Sequence, residues 1–127
     1  MTDVAAALAE LIHARRIEPA DTTTTPSYTR QLLDAGPDRC ARKFGEEAIE
    51  LVVASLAGAT KIDGGNHIRM PLSKVEKDAV VSEAADVLYH LLVLLESRDV
   101  PWDDVTAKLA SRMGTSGIAE KAARRTG

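Results

Sequence analysis

The acidic residues of this chain gather in two places. Glu46, Glu47 and Glu50 lie within five positions, and Glu83 and Asp86 are followed one turn later by His90. If both segments are helical, Glu46, Glu47 and Glu50 occupy roughly a 100° arc of the first, and Glu83, Asp86 and His90 roughly a 60° arc of the second. The second group is the more informative. From Ala84 to Leu95 only Asp86, Tyr89 and His90 are polar, so a helix there is apolar nearly all round and is expected to be buried. Acids on a buried helix each cost on the order of several kcal/mol in lost hydration unless their charge is compensated. Nearby Lys43 or Arg42 supplies some compensation. A hard divalent cation supplies more, and an all-oxygen donor set selects magnesium. Packed antiparallel, the two helices would bring these carboxylates to one spot, where bound Mg2+ can grip the oxygens of a polyphosphate. Taken alone, Glu46-Glu47-Glu50 is the kind of set that decorates a solvated helix face. Its pairing with Glu83 and Asp86 favours the metal. His90 reads as a packing or supporting residue, because magnesium prefers oxygen. The Glu-x-x-His pairs of a di-iron bundle are missing, since Val87 precedes His90 by three.

Other polar features are weaker. Gly114-Thr115-Ser116-Gly117 offers backbone N–H groups and hydroxyls to a phosphate, or simply ends a helix. Lys121, Arg124 and Arg125 can pair with phosphates or remain solvated. Lys43 and Arg39, one turn before the first acidic group, reach either a phosphate or Glu46 and Glu47. Cys40 reads as a small buried hydrophobe.

The elements that must position these groups are legible from periodicity. Val4, Leu8, Leu11 and Ile12 form one helical stripe from Asp3 to Arg16, with Thr2 or Asp3 as cap. Pro19 and Thr22-Thr23-Thr24-Thr25-Pro26 read as an extended linker. Ser27 caps a short helix carrying Tyr28, Leu32 and Leu33, which Gly36-Pro37 ends. A long helix follows, roughly Asp38 to Leu56, with Phe44, Ala48, Leu51, Val52 and Leu56 along one side. The stretch from about 58 to 73 is long for a helix–helix connection and is either a loop or a hairpin built on Gly64-Gly65. Ser73 with Glu76 has capping-box spacing and opens the longest helix, ending near Arg98. After Pro101 a last helix runs through Val105, Leu109 and Arg112.

Composition agrees with this plan. The 127 residues are 45% hydrophobic but only 3% aromatic, so the core is built from Ala, Leu and Val, which suits helices better than stacked sheets. The expectation is a single all-α domain over 1–127. The net charge of −3 gives no case for nucleic-acid binding. Val87–Leu95 is too short to span a membrane, and the first residues carry no secretion signal, which points to the cytoplasm. One cysteine excludes an internal disulfide and fits a reducing compartment.

Four segments occur in an order that resembles a known family. They are Ser27-Tyr28-Thr29 with Leu32-Leu33, Lys43-Phe44-Gly45-Glu46-Glu47-Ala48-Ile49-Glu50, Glu83 through Leu95, and Arg112-Met113-Gly114-Thr115-Ser116-Gly117 with Glu120-Lys121-Ala122. Together they are similar to the phosphoribosyl-ATP pyrophosphohydrolases, a branch of the all-α, MazG-like nucleotide pyrophosphohydrolases. The resemblance implies a helical bundle whose long motif helices pair in an oligomer, usually a homodimer. It implies Glu47, Glu50, Glu83 and Asp86 as ligands of Mg2+, with Glu46 or Glu47 as the base toward water. Lys43, Thr115, Ser116, Lys121 and Arg124 would contact the substrate. The implied reaction is hydrolysis of phosphoribosyl-ATP to phosphoribosyl-AMP and pyrophosphate, the second step of histidine biosynthesis. The chain departs from the family pattern in its long segment before Lys77 and in Met113, where a histidine is common. The competing readings are a housekeeping nucleoside triphosphate pyrophosphohydrolase and a non-catalytic helical dimerisation module.

Overall fold

The computed structural model describes residues 3–19, 27–57 and 60–114. In chain order these form α1 (Val4–Ile17), α2 (Tyr28–Ala35), α3 (Pro37–Leu56), β1 (Thr60–Asp63), β2 (Asn66–Arg69), α4 (Lys74–Ser97) and α5 (Trp102–Met113). Each boundary has a local cause. The Asp3 carboxylate accepts from Ala6 N–H at 3.1 Å and starts α1. At the other end the Arg30 guanidinium, reaching across from α2, donates to the Glu18 carbonyl at 2.6 Å and the Arg15 carbonyl at 3.3 Å. Two carbonyls that the helix leaves without partners are thereby satisfied. Ser27 Oγ caps α2 through Arg30 N–H. Gly36, at φ +100°, makes the turn that Pro37 converts into the first residue of α3.

The hairpin settles the open reading of the 58–73 stretch. Gly64 and Gly65 both have positive φ, as a two-residue hairpin turn requires, and the antiparallel register pairs Asp63 with Asn66 and Ile62 with His67. The chain then enters α4 through a complete capping box: Ser73 Oγ accepts from Glu76 N–H, and Glu76 Oε1 accepts from Ser73 N–H at 2.8 Å. Beyond Ser97, Asp99 adopts φ +57° and Val100 N–H reaches back to the Leu95 carbonyl. Glycine more often takes this left-handed position. Arg16 binds the Asp99 carboxylate at 2.6 Å and Glu96 at 2.8 Å, and His13 meets Glu96 at 2.7 Å. These contacts fasten the end of α1 to the end of α4.

α3 and α4 run antiparallel, with Cys40 near Ser97 and Glu47 near His90. The core of Ile12, Leu32, Cys40, Leu92 and Val93 lies at one end of this pair, where α1 and α2 cover it; Leu8, Leu33, Leu88, Leu94 and Trp102 pack around it. Cys40 is buried as expected, its thiol directed at the Leu32 carbonyl.

Burial along the two long helices is uneven. Val52 and Leu56, which share one side of the first long helix with Phe44, Ala48 and Leu51, are 50% and 65% exposed. The second long helix, expected to be buried from Ala84 to Leu95, buries only His90, Leu92 and Val93, while Ala84, Ala85 and Asp86 stay exposed. The physical reason is the same for both. The short helices cover only the early part of α3 and the late part of α4, leaving the opposite end without a layer. No helix among the described residues is long and apolar enough to cross a membrane.

Candidate metal centre

Antiparallel packing brings α3 and α4 together at the carboxylates. Glu47 from α3 and Glu83 and Asp86 from α4 each present an oxygen, all within 4.8 Å of one another. Glu83 and Asp86 are three residues apart and so share a helix face. Glu47 meets them because the pairing that sets it beside His90 continues one turn along. Glu50 is exposed and reaches the group through a hydrogen bond with Glu47. Two like unit charges ~4 Å apart near a protein surface repel by roughly 4 kcal/mol, so the cluster requires protons or a cation.

The electrostatics record that tension. The Glu47 carboxyl is held above the ordinary carboxylate value first by burial, then by its hydrogen bond with Glu50 and by the Glu50 charge; His90 and Lys43 act in the opposite direction. Glu83 Oε2 is buried without a hydrogen-bond partner. An orphaned carboxylate oxygen facing two more carboxylates fits a hard divalent ion with oxygen ligands. Among the described residues the group offers carboxylate oxygens alone, the donor chemistry of hard divalent ions.

Around this centre the neighbours differ in what they contribute. Lys43 Nζ donates to Glu46 Oε2 at 3.1 Å and lies 3.7 Å from Glu47. Its ammonium is stabilised chiefly by that Glu46 bond, with smaller help from Tyr28 and Glu47. Glu46 is exposed at the rim. His90 is buried with Nε2 4.0 Å from Glu47, beyond hydrogen-bond range, and burial lowers its pKa. His90 therefore lies beside Glu47 without a hydrogen bond to it.

An aromatic cluster adjoins the centre and is invisible in the sequence pattern. Tyr28 stacks on Tyr89 with ring centroids 6.5 Å apart and an interplanar angle of 20°. The His90 ring meets Tyr89 edge-on at 5.0 Å and Tyr28 edge-on at 6.3 Å. Thr29 and Tyr89 are joined through their hydroxyls. Nothing in the local spacing brings residues 28 and 29 to residues 89 and 90. Only the docking of α2 on α4 does so.

Glu46, Glu47, Glu50, Glu83, Asp86 and Lys43 are thus assembled in one place. Thr115, Ser116, Lys121 and Arg124 lie outside the described residues. A separate groove of about 390 Å³, lined by Ala6, His13, Arg16, Glu96 and Trp102 among others, sits between α1, α4 and α5. It is remote from the carboxylates, since Glu96 is ten residues beyond Asp86, ~15 Å along the helix.

Similarity to known proteins agrees with this geometry. The family profile described as phosphoribosyl-ATP pyrophosphohydrolase matches residues 7–113. A phosphoribosyl-ATP pyrophosphatase of Ruegeria pomeroyi is 47% identical over 120 residues, covering 94% of each chain. One of a Jannaschia species is 44% identical over 92% of this chain and 94% of its own. One of Rhodobacter capsulatus is 51% identical over 77% and 79%. With a match of this extent across all the helices that carry the carboxylates, the chain belongs to the phosphoribosyl-ATP pyrophosphohydrolase family.

Proposed function

We propose that this chain hydrolyses phosphoribosyl-ATP to phosphoribosyl-AMP and pyrophosphate, the second step of L-histidine biosynthesis, as one catalytic domain over 1–127. The observation that carries the reading is the convergence of Glu47, Glu83 and Asp86 within 4.8 Å, in a chain whose relatives are named phosphoribosyl-ATP pyrophosphatase.

Glu47, Glu50, Glu83 and Asp86 would hold Mg2+. When bound, magnesium supplies the charge that neutralises a polyphosphate and makes nearby water more acidic. The rest falls to this chain's own side chains. A water attacking phosphorus must lose a proton, and Glu46, exposed at the rim beside Glu47, would take it. Lys43, held between Glu46 and Glu47, offers its ammonium to phosphate oxygens. His90 packs beside Glu47 at 4.0 Å, beyond hydrogen-bond range. Thr115, Ser116, Lys121 and Arg124 complete the phosphate contacts. The working form is a homodimer in the cytoplasm, with the exposed apolar side of α3 covered by a second copy.

The test is pyrophosphate release from phosphoribosyl-ATP, with and without magnesium, for the wild type and Glu47→Gln. Magnesium-dependent release is expected, reduced by more than about 100-fold in the variant, beyond the 10–100-fold typical of groups that merely support a metal ligand. Preference for common nucleoside triphosphates over phosphoribosyl-ATP would overturn the substrate. Release unaffected by Glu47→Gln would overturn the site.

A further inference from the structure

We propose that Tyr28 is the platform on which the purine ring of the nucleotide stacks, fixing the substrate's register over the carboxylates. The inference rests on reading the centre as a nucleotide pyrophosphohydrolase site and adds to it the residue that recognises the base.

Three observations lead to it. Tyr28 is 53% exposed, and the Tyr89 ring lies nearly parallel and offset beside it, at 20° with centroids 6.5 Å apart. Tyr89 is in turn joined to the Thr29 hydroxyl and meets the His90 ring edge to face. The Tyr28 ring is therefore braced by its neighbours, and its exposed part costs little further ordering when another ring settles on it. Exposed aromatic rings braced in this way bind bases by their faces, with little regard to edge pattern.

The second line is position. Along the α3–α4 pair the groups come in sequence: Tyr28 with Tyr89, then Lys43 with His90, then Glu46, Glu47 and Asp86, then Glu50 and Glu83. His90 touches both ends of the first step, lying edge-on to Tyr28 and 4.0 Å from Glu47. A nucleotide has the same order of chemistry, with a flat ring, then a sugar, then phosphates. Laid with its triphosphate at Lys43 and the carboxylates, it brings its base to Tyr28.

The third is the substrate's own form. In phosphoribosyl-ATP the pairing edge of the adenine carries a second ribose phosphate. A closed slot that reads base edges by hydrogen bonds is therefore unsuitable, and an open aromatic face remains usable. Among the described residues, Tyr28 is the exposed ring in contact with the centre's side chains.

Steady-state hydrolysis by the wild type, Tyr28→Phe and Tyr28→Leu tests this, together with calorimetric binding of AMP and inhibition by inorganic pyrophosphate, which has no base. Tyr28→Leu keeps apolar contact with Tyr89 but removes the ring. It is expected to raise KM and weaken AMP binding by at least about fivefold, the lower end for one base–aromatic stack. Its kcat should stay within about threefold, because the lost contact is made equally in ground and transition states. Tyr28→Phe should match the wild type, and pyrophosphate inhibition should be unchanged in both. A Tyr28→Leu enzyme with wild-type KM and AMP affinity overturns the platform. So does a loss in which pyrophosphate inhibition weakens in parallel, since that marks a distorted centre. Wild-type protein that binds AMP through Tyr28 but does not hydrolyse phosphoribosyl-ATP overturns the assigned reaction and leaves the platform standing.

Discussion

Glu47 carries opposite consequences with and without a cation. Its carboxyl is raised above its ordinary value of 4.5, chiefly by burial. Between pH 4.5 and its folded pKa, the native state keeps a proton that the unfolded chain has released. The metal-free fold therefore loses stability as pH rises through that window. Glu47→Gln removes the titration, so the metal-free variant at pH 7 should unfold at the same temperature as the wild type or higher. Magnesium should then raise the wild-type midpoint and leave that of Glu47→Gln nearly unmoved, because an ion bound by the folded state alone stabilises it. The wild-type shift should shrink at pH 5, where protons compete for the same oxygens. Thermal unfolding of both proteins at the two pH values decides it. A variant that is less stable without metal yet still responds to magnesium would remove Glu47 from the ligand set. The carboxylates could be read before any fold was known, because acids on an apolar helix need a reason. Tyr28 and Thr29 could not be joined to Tyr89 and His90, about sixty positions away, since no local period links them.

Among the elements, the longest helix owes its start to a four-residue device. The Glu76 carboxyl is held below its ordinary value by the Ser73 backbone N–H and hydroxyl. A depressed acid contributes stability above its ordinary pKa and loses it as pH falls through the folded value. Ser73→Ala should cost about 1 kcal/mol in urea unfolding at neutral pH, the usual worth of a side-chain N-cap. The deficit of Glu76→Gln against the wild type should fade on acidification below its carboxylate range. A Glu76→Gln deficit that is independent of pH would mean that the helix start does not use this charge. Ser73 and Glu76, like Gly36-Pro37, act on their immediate neighbours, which is why these boundaries were legible residue by residue; Gly64-Gly65 leaves loop and hairpin both open, because the choice rests on the pairing of β1 with β2. Which part of α3 a neighbouring helix covers was not legible. Val52 and Leu56 have the right hydrophobicity and spacing, but whether such a stripe faces a core depends on which other helix reaches it. In this chain α1 and α2 stop short.

At the scale of the whole molecule, that uncovered surface is the largest disagreement between composition and fold. Ile49, Val52, Val53 and Leu56 recur at i, i+3, i+4 and i+7 on α3, all at least half exposed, and α4 adds exposed Val75 and Val81. An apolar stripe of this regularity is the pattern of a helix that packs against another helix. It also begins at Ile49, the residue before Glu50, so whatever covers it borders the carboxylate centre. The proposed homodimer supplies that layer and explains why a helix as apolar as α4 is only partly buried within one chain. Val53→Lys and Leu56→Lys place a charge in the middle and at the far end of the stripe, where a buried ammonium without a partner costs on the order of several kcal/mol. In sedimentation velocity the wild type should run at twice the 13.6 kDa chain mass, and both variants should shift toward the single chain. Leu56 lies two turns beyond the acidic group, outside the direct reach of substrate. A Leu56→Lys monomer that loses pyrophosphate release would show that the centre needs the second copy to hold its helices in place. A wild type that sediments as one chain, with Leu56→Lys fully active, would mean that the stripe stays bare and that the α3–α4 pair alone keeps the carboxylates together.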